Sequence, residues 1–494
     1  MKQWRKSVLS VLFSFVGLTL LAAIAFTAYL YIEGGGDADV PMWDDTDLWL
    51  PEEALADEDN AFVAFMSAIN HYAVLSDNRT EERMEDSVFI GGYGIAFPDA
   101  LSYAQQARNE PQAAARADAI LAAHEPFFAV LAEGVRRKGY RTIPALEVAF
   151  ESSAPNPPSL KFIVYDNLLC LKVQRELERS ELEAATQTIE LLHAFGAKLM
   201  THTDGGFTTL IGTILKEKAY QKMVDAVGMG LLTDEMGKRF EACLEADART
   251  FQADYERMVR ADYAFQIGCI ERMTGEDLIE GWVASQIHSL YHERTFSEKC
   301  IEFLQSAICH WPGYLRFAYH PRTTRAMLAD LTRRVLQGDF KDAFDENIRF
   351  LTPNHIGRSC VSIEMPKLMM SAFKSLRFDY AKVQLVLATA KWKQRNSAAY
   401  PPSLEALVPD YLPAVPADPW SDDARSLAYH PATGTVWTIG AGEPFDYHDY
   451  LEAPEVDKHS GMMSYELRHH TFRLDGQPHP LPPQESSSSR QKQF

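Results

Sequence analysis

Histidines are the side chains best placed for chemistry in this sequence, and two of them, His288 and His292, stand four residues apart with Glu293 adjacent. On a helix, residues i and i+4 share a face, so both imidazoles can approach one divalent cation, with Glu293 as a further donor. The spacing differs from HExxH, where the glutamate lies between the histidines and acts as general base. No additional ligand is evident and the chain holds 15 histidines, so the trio reads first as helix-surface residues and second as a metal site. Cys309-His310 places a thiol beside a base, but neighbours on a helix point about 100° apart and rarely meet. Thr201-His202-Thr203-Asp204-Gly205-Gly206 gathers hydroxyl, imidazole and carboxylate groups before a glycine pair; its simplest reading is a polar turn that stops a helix.

The remaining chemistry-bearing groups are sparse. Cys170, Cys243, Cys269, Cys300, Cys309 and Cys360 show neither a CxxC nor a zinc spacing, and their possible pairings are left open by sequence. They read as buried thiols with one or two bridges at most. No G-x-S-x-G, phosphate-binding loop or dinucleotide fingerprint occurs in a strand-turn-helix setting. No cofactor is therefore expected, and the sequence leans away from an enzyme.

The elements that would carry these residues begin with an apolar stretch. Lys2, Arg5 and Lys6 precede an uncharged run from Ser7 to Ile32, longer than the ~20 residues that span hydrocarbon. Trp4 at one end and Tyr29 and Tyr31 at the other suit the two interfaces, and Glu33, Asp37, Asp39, Asp44, Asp45 and Asp47 follow. The positive-inside bias then places the N-terminus in the cytoplasm and the body outside it. Ala23-Ile24-Ala25 matches a signal-peptide cleavage site, but the apolar run continues past it, so a retained anchor is the stronger expectation. The net charge of −20 repels polyanions, and no nucleic-acid partner is expected.

Residues 34–57 carry a glycine triplet, several acids, Pro41 and Pro51, and read as an acidic, solvated linker. Asp57 or Asp59 can cap a helix bearing Phe62, Phe65, Met66, Ile69 and Tyr72 on one face. From about Pro98 to Gly338 the apolar residues recur mainly at helical period. Leu182, Ala185, Ile189, Leu192, Phe195 and Leu199 make one stripe, and a second runs through Met369, Phe373, Leu376, Tyr380, Val383 and Leu387 to an end near Asn396. Beyond a proline-rich stretch, Ser426–Tyr429 and Thr435–Ile439 predict two short strands around a turn at Thr433-Gly434. The tail beyond Gly476, with its serine run, has the composition of disorder.

Ala399-Tyr400-Pro401-Pro402-Ser403-Leu404-Glu405-Ala406-Leu407-Val408-Pro409, followed by Tyr411-Leu412, Pro416, Asp418-Pro419-Trp420, Tyr429 and Ile439-Gly440, resembles the globular segment of the major pseudopilin of bacterial type II secretion. The resemblance implies a long helix from near Met369, a short helix seated on it by Leu404, Leu407 and Leu412, and a small sheet that receives Trp420. That family's processing signal does not precede the run at Ser7, and its calcium loop is reduced in Gly440-Ala441-Gly442-Glu443-Pro444-Phe445-Asp446 to one glutamate and one aspartate. The whole layout is similar to a group of membrane-anchored bacterial envelope proteins, which implies an architecture and a location rather than a reaction.

The expectation is thus a mainly α protein, a multi-helix array with a single N-terminal transmembrane helix and a small C-terminal α+β, pseudopilin-like module with a short antiparallel sheet. The expected divisions are 1–33 as basic stub and anchor, 34–57 as linker, 58–362 as helical domain, 363–447 as the long helix with its β module, and 448–494 as an extension with a disordered tail. The expected role is a structural or protein-interaction component of the cell envelope, held in the inner membrane by residues 7–32 and meeting an envelope protein partner. The alternative is an exported hydrolase or metalloenzyme in which His288, His292 and Glu293 are the metal candidates.

Overall fold

The structure is a computed structural model that describes residues 2–33, 35, 44–50, 55–66, 111–141, 159–201, 206–272, 314–338, 353–361, 364–421, 424–438 and 471–477. The architecture is mainly helical with one small antiparallel sheet. In chain order the helices are α1 (Lys2–Glu33), α2 (Pro111–Ala123), α3 (Glu125–Arg136), α4 (Ser159–Glu178), α5 (Leu182–Leu199), α6 (Gly206–Gly228), α7 (Asp234–Arg272), α8 (Tyr314–Ala318), α9 (Pro321–Leu336), α10 (His355–Cys360) and α11 (Glu364–Arg395). The strands are β1 (Ala428–His430), β2 (Thr435–Trp437) and β3 (Thr471–Arg473). The chain forms two compact units, the first from residues 1–52, 204–206 and 259–368, the second from 53–203, 207–258 and 369–494.

In the first unit α1 is helical throughout, as the uninterrupted apolar run requires. Its side chains are described from Leu18 onward, a stretch shorter than the ~20 residues of a span. Among the described residues no helix is long and apolar enough to cross a membrane, so the expected span at residues 7–32 is not met by them. Ala23, Phe26, Thr27 and Leu30 form the inward stripe of α1, at three- and four-residue steps. Leu30 is buried, and Tyr29 meets Phe317 of α8 with ring centroids 5.5 Å apart. Pro321 opens α9 at a position where its missing N–H costs nothing. Asn354 sits in the left-handed region (φ 58°) before α10, where its Oδ1 accepts from the His320 N–H at 2.8 Å and from the Thr324 hydroxyl at 3.2 Å.

The acids expected as a solvated spacer are in part tied down. Asp45 is buried, and its Oδ2 accepts from the Arg325 guanidinium at 2.8 Å and from the Tyr263 hydroxyl. Burial raises its carboxyl pKa, but these donors outweigh that effect and hold it below its ordinary value. Asp47 pairs with Arg333 through both oxygens at 2.6 and 3.0 Å, and Leu48 is buried beside them. The spacer reading fails here because composition reports polarity and is blind to arginines nearly three hundred residues downstream.

The second unit is built around α5 and α6. The expected α5 stripe is observed: Ala185, Ile189, Leu192, Phe195 and Leu199 are buried, and Leu192, Phe195 and Leu199 join Phe62, Phe65, Phe128, Leu131, Leu168, Ile211 and Leu215 in one apolar cluster. Gly134 of α3 lets Phe65 approach, since a methyl there would lie 2.6 Å from the ring. Residues 61–66 are helical with Phe62, Phe65 and Met66 inward, but the cap is Asn60, not Asp57 or Asp59. Its Oδ1 accepts from Phe62 N at 3.1 Å and from Arg141 N at 3.0 Å, while Asp57–Asp59 form a 3-10 turn. Ile69 and Tyr72 lie outside the described residues.

The long helix α11 carries the second expected stripe, with Met369, Phe373, Leu376, Val383 and Leu387 buried. Leu404, Leu407 and Leu412 are buried in and after a 3-10 turn, and Trp392 and Tyr411 stack edge to face at 5.8 Å. The hairpin pairs Tyr429 with Val436 around a turn in which Gly434 has φ +69°. β3, which the strand pattern did not single out, pairs Val436 with Phe472 and packs the latter against Phe378 of α11 at 5.5 Å. Trp420 meets α11, its ring 5.5 Å from the Lys374 ammonium.

Candidate functional site

Three helices of the second unit bring charged and titratable side chains together inside the apolar core. On α6, Gly212, Lys216 and Tyr220 recur at four-residue steps and so share one face. Much of the helix is covered by its neighbours, with Leu210, Ile211, Leu215, Ala219, Met223 and Val224 buried. Gly212 and Gly196 of α5 face each other so closely that a methyl on either would lie 2.7 Å from the other's carbonyl oxygen. This close crossing draws the Lys216 stem against α5 and carries its ammonium toward α7.

Asp247 of α7 is the hub. Lys216 is 1% exposed and Asp247 3%, and the ammonium lies 2.5 Å from Asp247 Oδ1. The other oxygen, Oδ2, is 2.6 Å from His193 Nε2 of α5 and also accepts from the Tyr220 hydroxyl. Burial works against the charge on Asp247, but the His193 hydrogen bond and the His193 and Lys216 charges prevail and hold the carboxyl below its ordinary value. Burial, then the Asp247 charge and its acceptance of the phenolic proton, push the Tyr220 pKa far up. Aromatic rings close the cluster: Phe251 lies 5.7 Å from the ammonium and 5.0 Å from Tyr380, Tyr380 lies 6.3 Å from Tyr220, and Phe373 packs on Phe251 at 5.8 Å.

A Lys/Asp/His/Tyr group has the ingredients of acid–base or amine chemistry. Its setting argues for a different use. Each oxygen of Asp247 is spoken for by a donor of the chain itself, and all four residues are buried. The arrangement ties α5, α6 and α7 to a single carboxylate.

A second polar group lies on another face of α6. Asp166 of α4 is fully buried with Lys218 Nζ 3.3 Å from each oxygen, and burial raises its pKa to about 6 against the Lys218 charge. Glu217 is raised well above its ordinary value by burial and then by the charge of Asp379. Cys170 and Cys243 are unpaired, and burial pushes each thiol up to about 12, away from nucleophilic use.

The sequence-derived candidates His288, His292 and Glu293 lie outside the described residues, as do Cys309-His310 and the segment Gly440–Asp446. Of Thr201–Gly206, Thr201 follows the end of α5 with its hydroxyl donating to Lys198 O at 2.7 Å, and Gly206 opens α6. Among the described residues no group of three or more His, Cys, Asp or Glu is placed to hold a metal ion. The Asp247 cluster escaped sequence reading because its members are scattered over three helices; the available signal was Lys216, a lone cation on an otherwise apolar face. Compared with known proteins, the chain matches no family, no curated protein and no solved structure.

Proposed function

We propose that this chain is a single-pass, membrane-anchored protein of the bacterial cell envelope, with its N-terminus in the cytoplasm and its helical body outside the inner membrane, and that it works by binding another envelope protein. One observation carries the anchor. On α1, Leu18 is 70% exposed and Ile32 74%, and Leu20, Leu21 and Ile24 stand out from the fold with them. A row of aliphatic side chains of this size in water is costly, at roughly 25 cal/mol per Å2 of apolar surface, whereas lipid accepts it without loss. Lys2, Arg5 and Lys6 before the run and the acids after it set the orientation. The enclosed Asp247 cluster supports a scaffold over a catalyst, and α11 with its 3-10 turn and hairpin supports a small docking module of pseudopilin type.

The test is made on the full chain in a bacterial host. A phosphatase fused after Gly36 is expected to be active, the protein is expected to stay with membranes through an alkaline carbonate wash, and in-cell cross-linking is expected to trap the same envelope protein repeatedly. A silent fusion or a freely soluble product overturns the anchor. Repeated cross-linking with no reproducible partner overturns the binding role.

A further inference from the structure

We propose that Glu217 of α6 and Asp379 of α11 form a proton-operated clamp: with a proton held between the two carboxyl groups, α11 and the strand β3 lie closed on α6, and with both groups ionised they are pushed apart. The inference rests on the reading of the C-terminal piece as a docking module and adds its regulation. Helix directions set the pair face to face. Lys216 and then Tyr220 of α6 meet Phe251 and then Asp247 of α7, so these two helices run opposite ways. Along α11, Phe373 meets Tyr255, Tyr380 meets Phe251 and Lys391 meets Glu241, again in reverse order. α6 and α11 are therefore parallel. They lie side by side at Tyr220 and Tyr380, with ring centroids 6.3 Å apart, and at Gln221, whose Oε1 accepts from Lys382 Nζ at 2.6 Å. One turn earlier on each helix, Glu217 and Asp379 face each other.

The cations along this seam serve other groups. Lys218 turns to Asp166 of α4, 3.3 Å from each oxygen, and Lys222 pairs with Asp225 at 2.9 Å. Lys382 donates to Gln221 and lies 3.9 Å from Asp379 Oδ1. Asp379 thus keeps a cation beside it, whereas among the described residues no side chain donates to Glu217. Of the α7 carboxylates, Glu245 and Asp247 act on Tyr380. Two like charges across a covered seam disfavour each other, and the one without a donor takes up the proton. Burial and then the Asp379 charge accordingly hold Glu217 well above its ordinary value, against the pull of Lys218. An acid raised in this way stabilises the closed form below its native value and loses that contribution as pH rises through it. The effect reaches the docking module because Phe378, next to Asp379, packs on Phe472 of β3 at 5.5 Å. Just past β3, Gly476 abuts Gly228 at the end of α6, and the Gly228 carbonyl accepts from Gln477 Nε2. β3 and its continuation are thus gripped from both sides of the seam.

Hydrogen exchange of the full chain in neutral detergent, at about pH 5 and about pH 8 and corrected for the intrinsic rates, tests the clamp. An Asp166→Asn background silences the raised carboxyl on the neighbouring α4. On that background residues 369–395 and 471–477 are expected to be several-fold better protected at the lower pH. Glu217→Gln keeps the shape and cannot ionise, so it is expected to give the higher protection at both pH values and to remove the infrared band of a protonated carboxyl seen at the lower one. Asp379→Asn, which takes away the repelling charge, is expected to shrink the dependence. Equal protection at the two pH values before Glu217 is replaced, a dependence that survives Glu217→Gln, or one undiminished in Asp379→Asn overturns the clamp. None of these outcomes bears on the phosphatase fusion or the cross-linking, so failure of the clamp is distinct from failure of the anchored, partner-binding reading.

Discussion

Replacing Asp247 by Asn tests whether the buried charge cluster locks the second unit. The amide is nearly isosteric, so little packing is lost, and Tyr220 keeps an acceptor. What changes is the charge facing Lys216, whose ammonium sits 2.5 Å from the carboxylate at 1% exposure. Removing one partner of a buried pair typically costs about 3–5 kcal/mol, because the other charge stays behind unneutralised. Lys216→Met should cost less, about 1–3 kcal/mol, since Asp247 retains its His193 and Tyr220 donors. If the two residues act on each other, the double variant should cost less than the sum of the single ones by about 1–3 kcal/mol. Urea unfolding followed by circular dichroism gives the energies, and hydrogen exchange should localise the loss to α5, α6 and the first part of α7. Additive effects, or a cost for Asp247→Asn below about 1 kcal/mol, would refute the reasoning. The pH dependence has a fixed sign as well. Asp247 is held below its ordinary 3.8, so its contribution is present above that value and is lost only as pH falls through the lower native one.

Asp166 should behave in the opposite sense: its folded pKa is raised to about 6 from 3.8, so stability falls as pH rises across that window, and Asp166→Asn should add about 1–3 kcal/mol at neutral pH and nothing in strong acid. Thermal unfolding at several pH values checks it, and a variant that is less stable at neutral pH contradicts it. Gly212→Ala places a methyl 2.7 Å from the Gly196 carbonyl oxygen and should cost about 1–3 kcal/mol by forcing α5 and α6 apart; an unchanged midpoint in urea would show that the crossing yields. Gly434→Ala combines a left-handed φ with a methyl 2.3 Å from the Tyr400 ring, and should cost at least ~1 kcal/mol and break the 2.6 Å bond from the Tyr400 hydroxyl to Asp475, which the environment-sensitive tyrosine signal reports. For the metalloenzyme alternative, purified protein should hold less than one equivalent of zinc, and His288→Ala with His292→Ala should leave metal content unchanged; a stoichiometric metal lost in that pair would favour the enzyme.

The elements whose stability is local were legible in the sequence. The stripe from Ala185 to Leu199 and the one from Met369 to Leu387 foretold α5 and α11 because helical period is a property of a single segment. Thr433-Gly434 foretold the hairpin because the turn demands a residue free to adopt positive φ. What was missed depends on distant partners. The cap at Asn60 is fixed by Arg141, the burial of Asp45 by Arg325 and Tyr263, and β3 by its pairing with β2 across a long gap. The Asp247 cluster belongs to the same class, as charge placement in a core is decided by which helices cross and where.

The interleaving of the two units along the chain has a consequence for biogenesis. Asn60 and Phe472 belong to the same body, and residues 259–368 are inserted between pieces of it. While the polypeptide emerges from the ribosome, the larger body lacks α11 and the sheet until nearly the whole length is made, and its aromatic faces wait uncovered. Premature termination anywhere before residue 369 would release a product that cannot complete its interior, which makes this protein a natural client for holding chaperones.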